Sequence, residues 1–177
     1  MGENNFFALL SNKKQTLLSV IILFLIAAVI ITFIQPFKYT AEAKLLVVQQ
    51  FPPGFDPYSA SKSNEYLSSV LAQVVSSNSF YNEALNAGFN VKRDYFGPDT
   101  NEQMKTWHQT VAAASVADSG IINITVKHKD QYQADQLIRA VNFTLQAKHN
   151  LYHGIGEHAL VKIIDQPLVS DKPNSPN

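Results

Sequence analysis

The chain contains no cysteine, which excludes thiol catalysis, disulfide staples and cysteine metal sites. It also lacks any excess of charge: 14 lysines and arginines balance 14 aspartates and glutamates, and the isoelectric point is near 7.0. A nucleic-acid interface shows as a basic stripe, and a polybasic membrane device as a cluster of lysines and arginines. Neither is present. Glycine-rich phosphate loops, the dinucleotide fingerprint and the serine nucleophile elbow are missing as well. The acidic residues are scattered, with no close pair on a predicted face. The expectation is a protein without an active site, cofactor or metal.

One further absence organises the rest. No charged residue occurs between Lys14 and Lys38, and from Leu17 to Ile34 only Ser19 and Thr32 are polar. At about 1.5 Å of rise per residue, residues 16–34 as one helix span the roughly 30 Å hydrocarbon core of a bilayer. A buried core helix of a soluble protein is the competing reading, but this run is both apolar on every face and long. A cleaved signal peptide would use Lys13 and Lys14 as its basic end and Ala41-Glu42-Ala43 as its cut. The apolar run is too long for that, and the cut lies too far beyond it. We therefore expect an uncleaved anchor at 16–35, after a tail at 1–15 carrying Phe6, Phe7, Leu9 and Leu10 as an interfacial cluster. Pro36 closes the helix, and Phe37 and Tyr39 fall at the membrane interface. Lysines on both sides leave the orientation unvoted. The shortness of the tail assigns it to the cytoplasm and everything from Lys38 onward to the outside.

The remainder is one domain of ordinary size, expected at 36–166 with a proline-rich exit at 167–177. Tyr39 to Gln49 alternates and then turns wholly apolar, which predicts a strand. Residues 51–58 form a proline- and glycine-punctuated loop with three aromatics. A sugar, lipid or subunit contact there competes with simple packing on the domain itself, and packing is the expectation.

Residues 63–78 predict an amphipathic helix burying Leu67, Val70, Leu71, Val74 and Val75, with Ser61 or Ser63 as cap. A short helix at 80–87 should stop at Gly88, and Thr100 with Gln103 forms a capping box for another that puts Met104 and Trp107 on one side. Residues 110–117 and 121–128 predict a hairpin turning at Asp118-Ser119-Gly120. Asp130, with Gln133 in the capping-box position, opens a helix to His153 whose buried face is Ala134, Leu137, Ile138, Val141, Leu145 and Tyr152, ended by Gly154. A last strand is expected at 160–164. The order is the βαββαβ of a ferredoxin-like α+β domain with its helices on one face.

His149 and His153 fall one helical turn apart and could hold a divalent metal as a pair. The glutamate of a zinc-protease helix is missing, and only Glu157 and His158 are near, so a solvated helix end is expected. Candidate subunit contacts are the polar outer face with Ser68, Ser69, Gln73 and Ser76, and opposite it Gln136, Arg139 and Gln146. Plainly solvated faces are the competing reading, with equal weight.

Three features together look familiar. A membrane helix runs straight into the strand from Tyr39 to Val47, and the hairpin strand Ile121 to Val126 leads into the helix at Asp130 with Ala134 early in it. The chain closes with Val161 to Pro167 and then Lys172-Pro173-Asn174-Ser175-Pro176. Over nearly its whole length it resembles the Wzz-type chain-length determinants, the polysaccharide co-polymerases of bacterial envelopes. The exit motif, Pro167, Pro173, Ser175 and Pro176, is the most specific part of that likeness.

The resemblance implies a non-enzymatic, ring-forming inner-membrane protein with its main domain outside. It would control the length of O-antigen, capsule or exopolysaccharide together with a polymerase. There is no room for a long helical stalk, so the short-domain capsular type, working with a separate tyrosine kinase, is implied. The family carries a second membrane helix after the exit, where this sequence stops: it is truncated, or a one-span variant. An anchored ring-building or adaptor domain of a secretion or sporulation complex is the alternative. A receptor's ligand-sensing domain is disfavoured because no output domain is present.

Overall fold

The computed structural model describes residues 14–34, 37–153 and 159–173. The expected interfacial cluster of the tail, the helix breakers Pro36 and Gly154, the possible ligands Glu157 and His158, and Ser175 and Pro176 of the exit lie outside the described residues. The chain divides into two units, one up to Pro36 and a second from Phe37.

The first unit contains helix α1, Lys14–Ile34. Its described large side chains, Leu18 to Val29, are exposed all round, while those of 15, 17 and 30–34 lie outside the described set. Among the described residues no helix is long and apolar enough to cross a membrane.

The second unit is a four-stranded antiparallel sheet in the order β2-β3-β1-β4, formed by β1 (Tyr39–Gln49), β2 (Val111–Ser115), β3 (Ile121–His128) and β4 (Ala159–Val169). Strands β1 and β2 run parallel with β3 between them, as a split βαβ unit requires. Alternation along the strands puts Ala41, Ala43, Leu45 and Val47 with Ile122, Ile124 and Val126 on one buried face. The helices α2 (Pro57–Val74) and α5 (Gln131–Lys148) pack against the sheet. Each large aliphatic buried there stabilises the fold by about 1.5–3 kcal/mol relative to exposure.

A second body of core is aromatic. Tyr81, from α3 (Asn78–Leu85), meets Phe96 and Trp107 edge-on at 5.4 and 5.3 Å. Phe96 belongs to a 3-10 turn, Arg93–Phe96, and Trp107 to α4, Thr100–Thr110. The Trp107 indole N–H donates to the carbonyl of Val75 at 2.8 Å, so its polar edge is satisfied inside the core.

Several boundaries differ from the expectations, each for a local reason. Helix α2 begins at Pro57, six residues early, because Asp56 takes the cap in place of Ser61 or Ser63: its carboxylate accepts the Ser59 N–H at 2.8 Å. Pro57 suits the first helical position, where its missing N–H costs nothing. The aromatic loop is correspondingly shorter, with Phe51 stacked on Phe55 at 4.4 Å. The buried side of α2 is Leu67, Ser68, Leu71, Ala72 and Val75, while Val70 and Val74 sit on its half-buried flank. Two flanking elements rotate the helix: Ser68 reaches Ser119 of the hairpin turn at 3.4 Å, and Val75 meets the indole. Ser68 is therefore not on the outer face; its hydroxyl donates to the Glu65 carbonyl at 2.7 Å.

Helix α3 starts at Asn78 under a Ser77 cap and ends at Leu85, before the left-handed Gly88. Asp99, not Thr100, caps α4, accepting from Asn101 and Glu102, and α4 runs on through Thr110, which shortens β2. Asp130 caps α5 as expected, accepting from Tyr132 and Gln133. The Gln133 side chain does not complete a capping box. It is buried and crosses to the preceding loop, accepting from the Lys92 N–H at 2.8 Å and donating to the Asn90 carbonyl at 3.1 Å. The hydrogen-bonded run of α5 stops at Lys148, although His149 keeps helical angles, and Tyr152 stands half-buried on the short helix α6, Asn150–His153. Strand β4 is twice the expected length and carries Pro167 within it. Proline is tolerated there because β4 is an edge strand and its pairing with β1 shifts register around Lys44, next to that stretch.

Candidate functional site

Of the expected contact residues, Ser76, Gln136 and Arg139 are already engaged within the domain. Ser69 is half-buried on α2, Gln73 is exposed near its end, and Ser76 lies in the turn beyond it. The Ser76 hydroxyl donates to the Gln73 carbonyl at 2.6 Å, and His108 Nε2 donates to the Ser76 carbonyl at 2.8 Å. On α5, Gln136 accepts the Asn90 N–H at 3.2 Å and donates to Asp135. Arg139 Nε donates to both oxygens of Asp135 at 2.8 Å, which raises the guanidinium's proton affinity further. No hydrogen bond joins the α2 group to the α5 group among the described residues.

Pro167 and Pro173 bracket the end of β4. Between them Ser170 ties the exit to the start of β1: Thr40 N–H donates to its hydroxyl at 3.0 Å, and its own N–H donates to the Thr40 carbonyl at 2.9 Å. The domain's first and last residues are thus neighbours, with Ala41 opposite Val169. Sequence reasoning missed this latch. Its signal, a serine after an alternating run, is too common to be read without the register.

His149 and His153 do come together, Nδ1 to Nε2 at 2.7 Å with rings stacked 5.0 Å apart. Such a contact requires one proton between the two nitrogens. Burial, and then the neighbouring ring of His153, push the His149 pKa down. Among the described residues no group of three histidines or carboxylates is placed to hold a metal ion.

Two concavities flank β4. One, of about 330 Å³, opens where β4 slips against β1 and contains the Lys44–Asp165 ion pair at 3.5 Å. The other, of about 200 Å³, lies between α5 and β4, with Phe89 from the loop after α3. Arg139, Asn142, Phe143 and Gln146 face it from α5, and Ile163, Gln166 and Pro167 from β4. Arg139 and Pro167, singled out in sequence for different reasons, therefore meet at one cavity.

No curated relative matches the chain. The family model described as chain length determinant protein, Wzz, matches residues 4–105, more than half of the sequence. That span takes in α1, β1, α2, α3 and most of α4; of the three features that carry the resemblance it holds the first, the apolar helix running into β1, while the hairpin strand with its following helix and the proline-rich exit lie beyond it. The chain belongs to the Wzz family of chain length determinant proteins.

Proposed function

We propose that this protein is a non-enzymatic scaffold that sets the length of a bacterial surface polysaccharide. It would be held in the inner membrane by α1, with the ferredoxin-like domain outside. The observation that carries the reading is the continuous family match from ahead of α1 into α4. The exposed apolar side chains of α1 support the membrane assignment, since such a surface finds no partner in water. Adjacent ends of the domain, Thr40 beside Ser170, support a chain that leaves on the side where it entered.

Copies would associate into a ring through unlike surfaces, the Ser69, Gln73 and Ser76 region of one protomer against the Gln136 and Arg139 flank of the next. A head-to-tail contact of this kind closes into a ring when its rotation allows. The polysaccharide polymerase is the partner, and a separate tyrosine kinase joins it in the capsular type. The test is to delete the gene and run the extracted polysaccharide on a gel. The expected result is a loss of the modal length; an unchanged ladder and yield would reject the reading.

A further inference from the structure

Asn142 is buried in the middle of α5 at 1% exposure, and neither its Nδ2 nor its Oδ1 has a hydrogen-bond partner among the described residues. Buried polar groups in folded proteins are almost always paired, because an amide stripped of water and given nothing in return costs free energy. A doubly orphaned amide therefore calls for an explanation. Asn142 is one of the residues that line the α5–β4 cavity, which at about 200 Å³ is far larger than the roughly 30 Å³ share of one water molecule.

We propose that this cavity is a saccharide subsite that takes one uncharged hexopyranose unit, with Asn142 at its base; the inference rests on the chain-length reading for its ligand class. The chemistry of the lining is that of sugar recognition. Sugar hydroxyls donate and accept at once, and so do the amides of Asn142, Gln146 and Gln166, each a planar group offering both functions. Gln146 spends Nε2 on the Val161 carbonyl at 3.3 Å, and that bond holds the side chain against β4. Phe89 and Phe143 meet edge-on at 5.9 Å, and Phe143 stays 46% exposed, an aromatic surface at the cavity for the C–H face of a pyranose. The one cation, Arg139, is neutralised by Asp135 through Nε, so the site carries no unpaired charge that selects an anion. Amides, aromatic rings and a neutralised guanidinium together favour a neutral polyhydroxylated ligand over a phosphate or an acidic peptide.

The test uses the full-length protein in lipid nanodiscs and saturation-transfer NMR. The probe is a mixture of oligosaccharides released by mild acid from the surface polysaccharide of cells that naturally carry the protein. Wild type should transfer saturation to pyranose ring protons above the level of empty nanodiscs. Asn142→Leu, close in volume, should lose at least fivefold of that signal while its thermal midpoint stays level or rises, since the unpaired amide is gone. Phe143→Ala, at an exposed position, should lose as much with its fold intact by circular dichroism. No transfer to wild type, or a loss of less than twofold in either variant, would overturn the subsite. Polymer ladders from the same strains separate the two claims. Transfer lost in the variants with an unchanged ladder in the gene deletion leaves the subsite standing and rejects length control, whereas full transfer in the variants with an altered ladder in the deletion rejects only the subsite.

Discussion

A β-carbon added to Gly120 would lie 2.5 Å from the carbonyl oxygen of Val47. The two residues are already joined, because the Val47 N–H donates to the Gly120 carbonyl at 2.8 Å. The hairpin turn thus sits against the central strand at a distance that only glycine allows. Helix α2 holds the turn from the other side: Glu65 accepts the Asp118 N–H at 2.9 Å, and Lys62 pairs with Asp118. Gly120→Ala should destabilise the domain by about 1–3 kcal/mol, the usual range for forced overpacking. Chemical denaturation of the purified protein measures it, and a shift under 0.5 kcal/mol, as at ordinary surface sites, would show that the strand yields.

Gln133 is the pin between α5 and the loop at Asn90 and Lys92. Gln133→Ala removes two hydrogen bonds and leaves their backbone partners in a partly buried place, at a cost of about 1–3 kcal/mol. Amide exchange at Lys92 should accelerate far more than exchange in β3. Uniform acceleration would mean that the loop is held by other contacts.

Acid should weaken the fold through His128. Its ring is buried against Tyr95, 4.1 Å between centroids, and Nδ1 accepts the Asp130 N–H at 2.9 Å. Burial pushes its pKa below the ordinary 6.5, against the opposing pull of Asp130. Between that lowered value and 6.5 the unfolded chain binds a proton that the folded one refuses. Stability therefore falls as pH drops through this window and is fully present above it. His149 has the same sign. His128→Gln should flatten the dependence of the thermal midpoint between pH 7 and 5; an unaltered slope would place the acid sensitivity elsewhere.

Ser69→Arg with Ser76→Arg tests the proposed ring contact. Neither residue is in the core, so the folded domain should survive. Placing two cations opposite Arg139 of a neighbouring copy should dissociate the assembly, since misplaced like charges in an interface cost several kcal/mol. Native mass spectrometry from nanodiscs reads the stoichiometry. A full-sized assembly with normal polymer length would eliminate this contact.

The local patterns by themselves determined a good deal: the uncharged run that became α1, the alternation in β1 and β3, Asp130 as a cap, and the element order from which the sheet order follows. These are short-range signals, set by period and by capping chemistry within a few residues. Tertiary structure decided the rest. Which flank of α2 is buried depended on Ser119 and Trp107, residues at least 30 positions away in the chain. Gln133 had an adequate local role as a capping-box residue, but two backbone groups more than 40 residues earlier claimed its amide. The length of β4 followed from β1, which offered an edge to pair with, and from the slip around Lys44 that made room beside Pro167. The expected buried face of α5 left Asn142 out, and only the placement of β4 across α5 showed it to be a buried amide at a cavity. Periodicity reports which residues face inward; what they meet there is fixed by strands and loops that arrive from elsewhere in the chain.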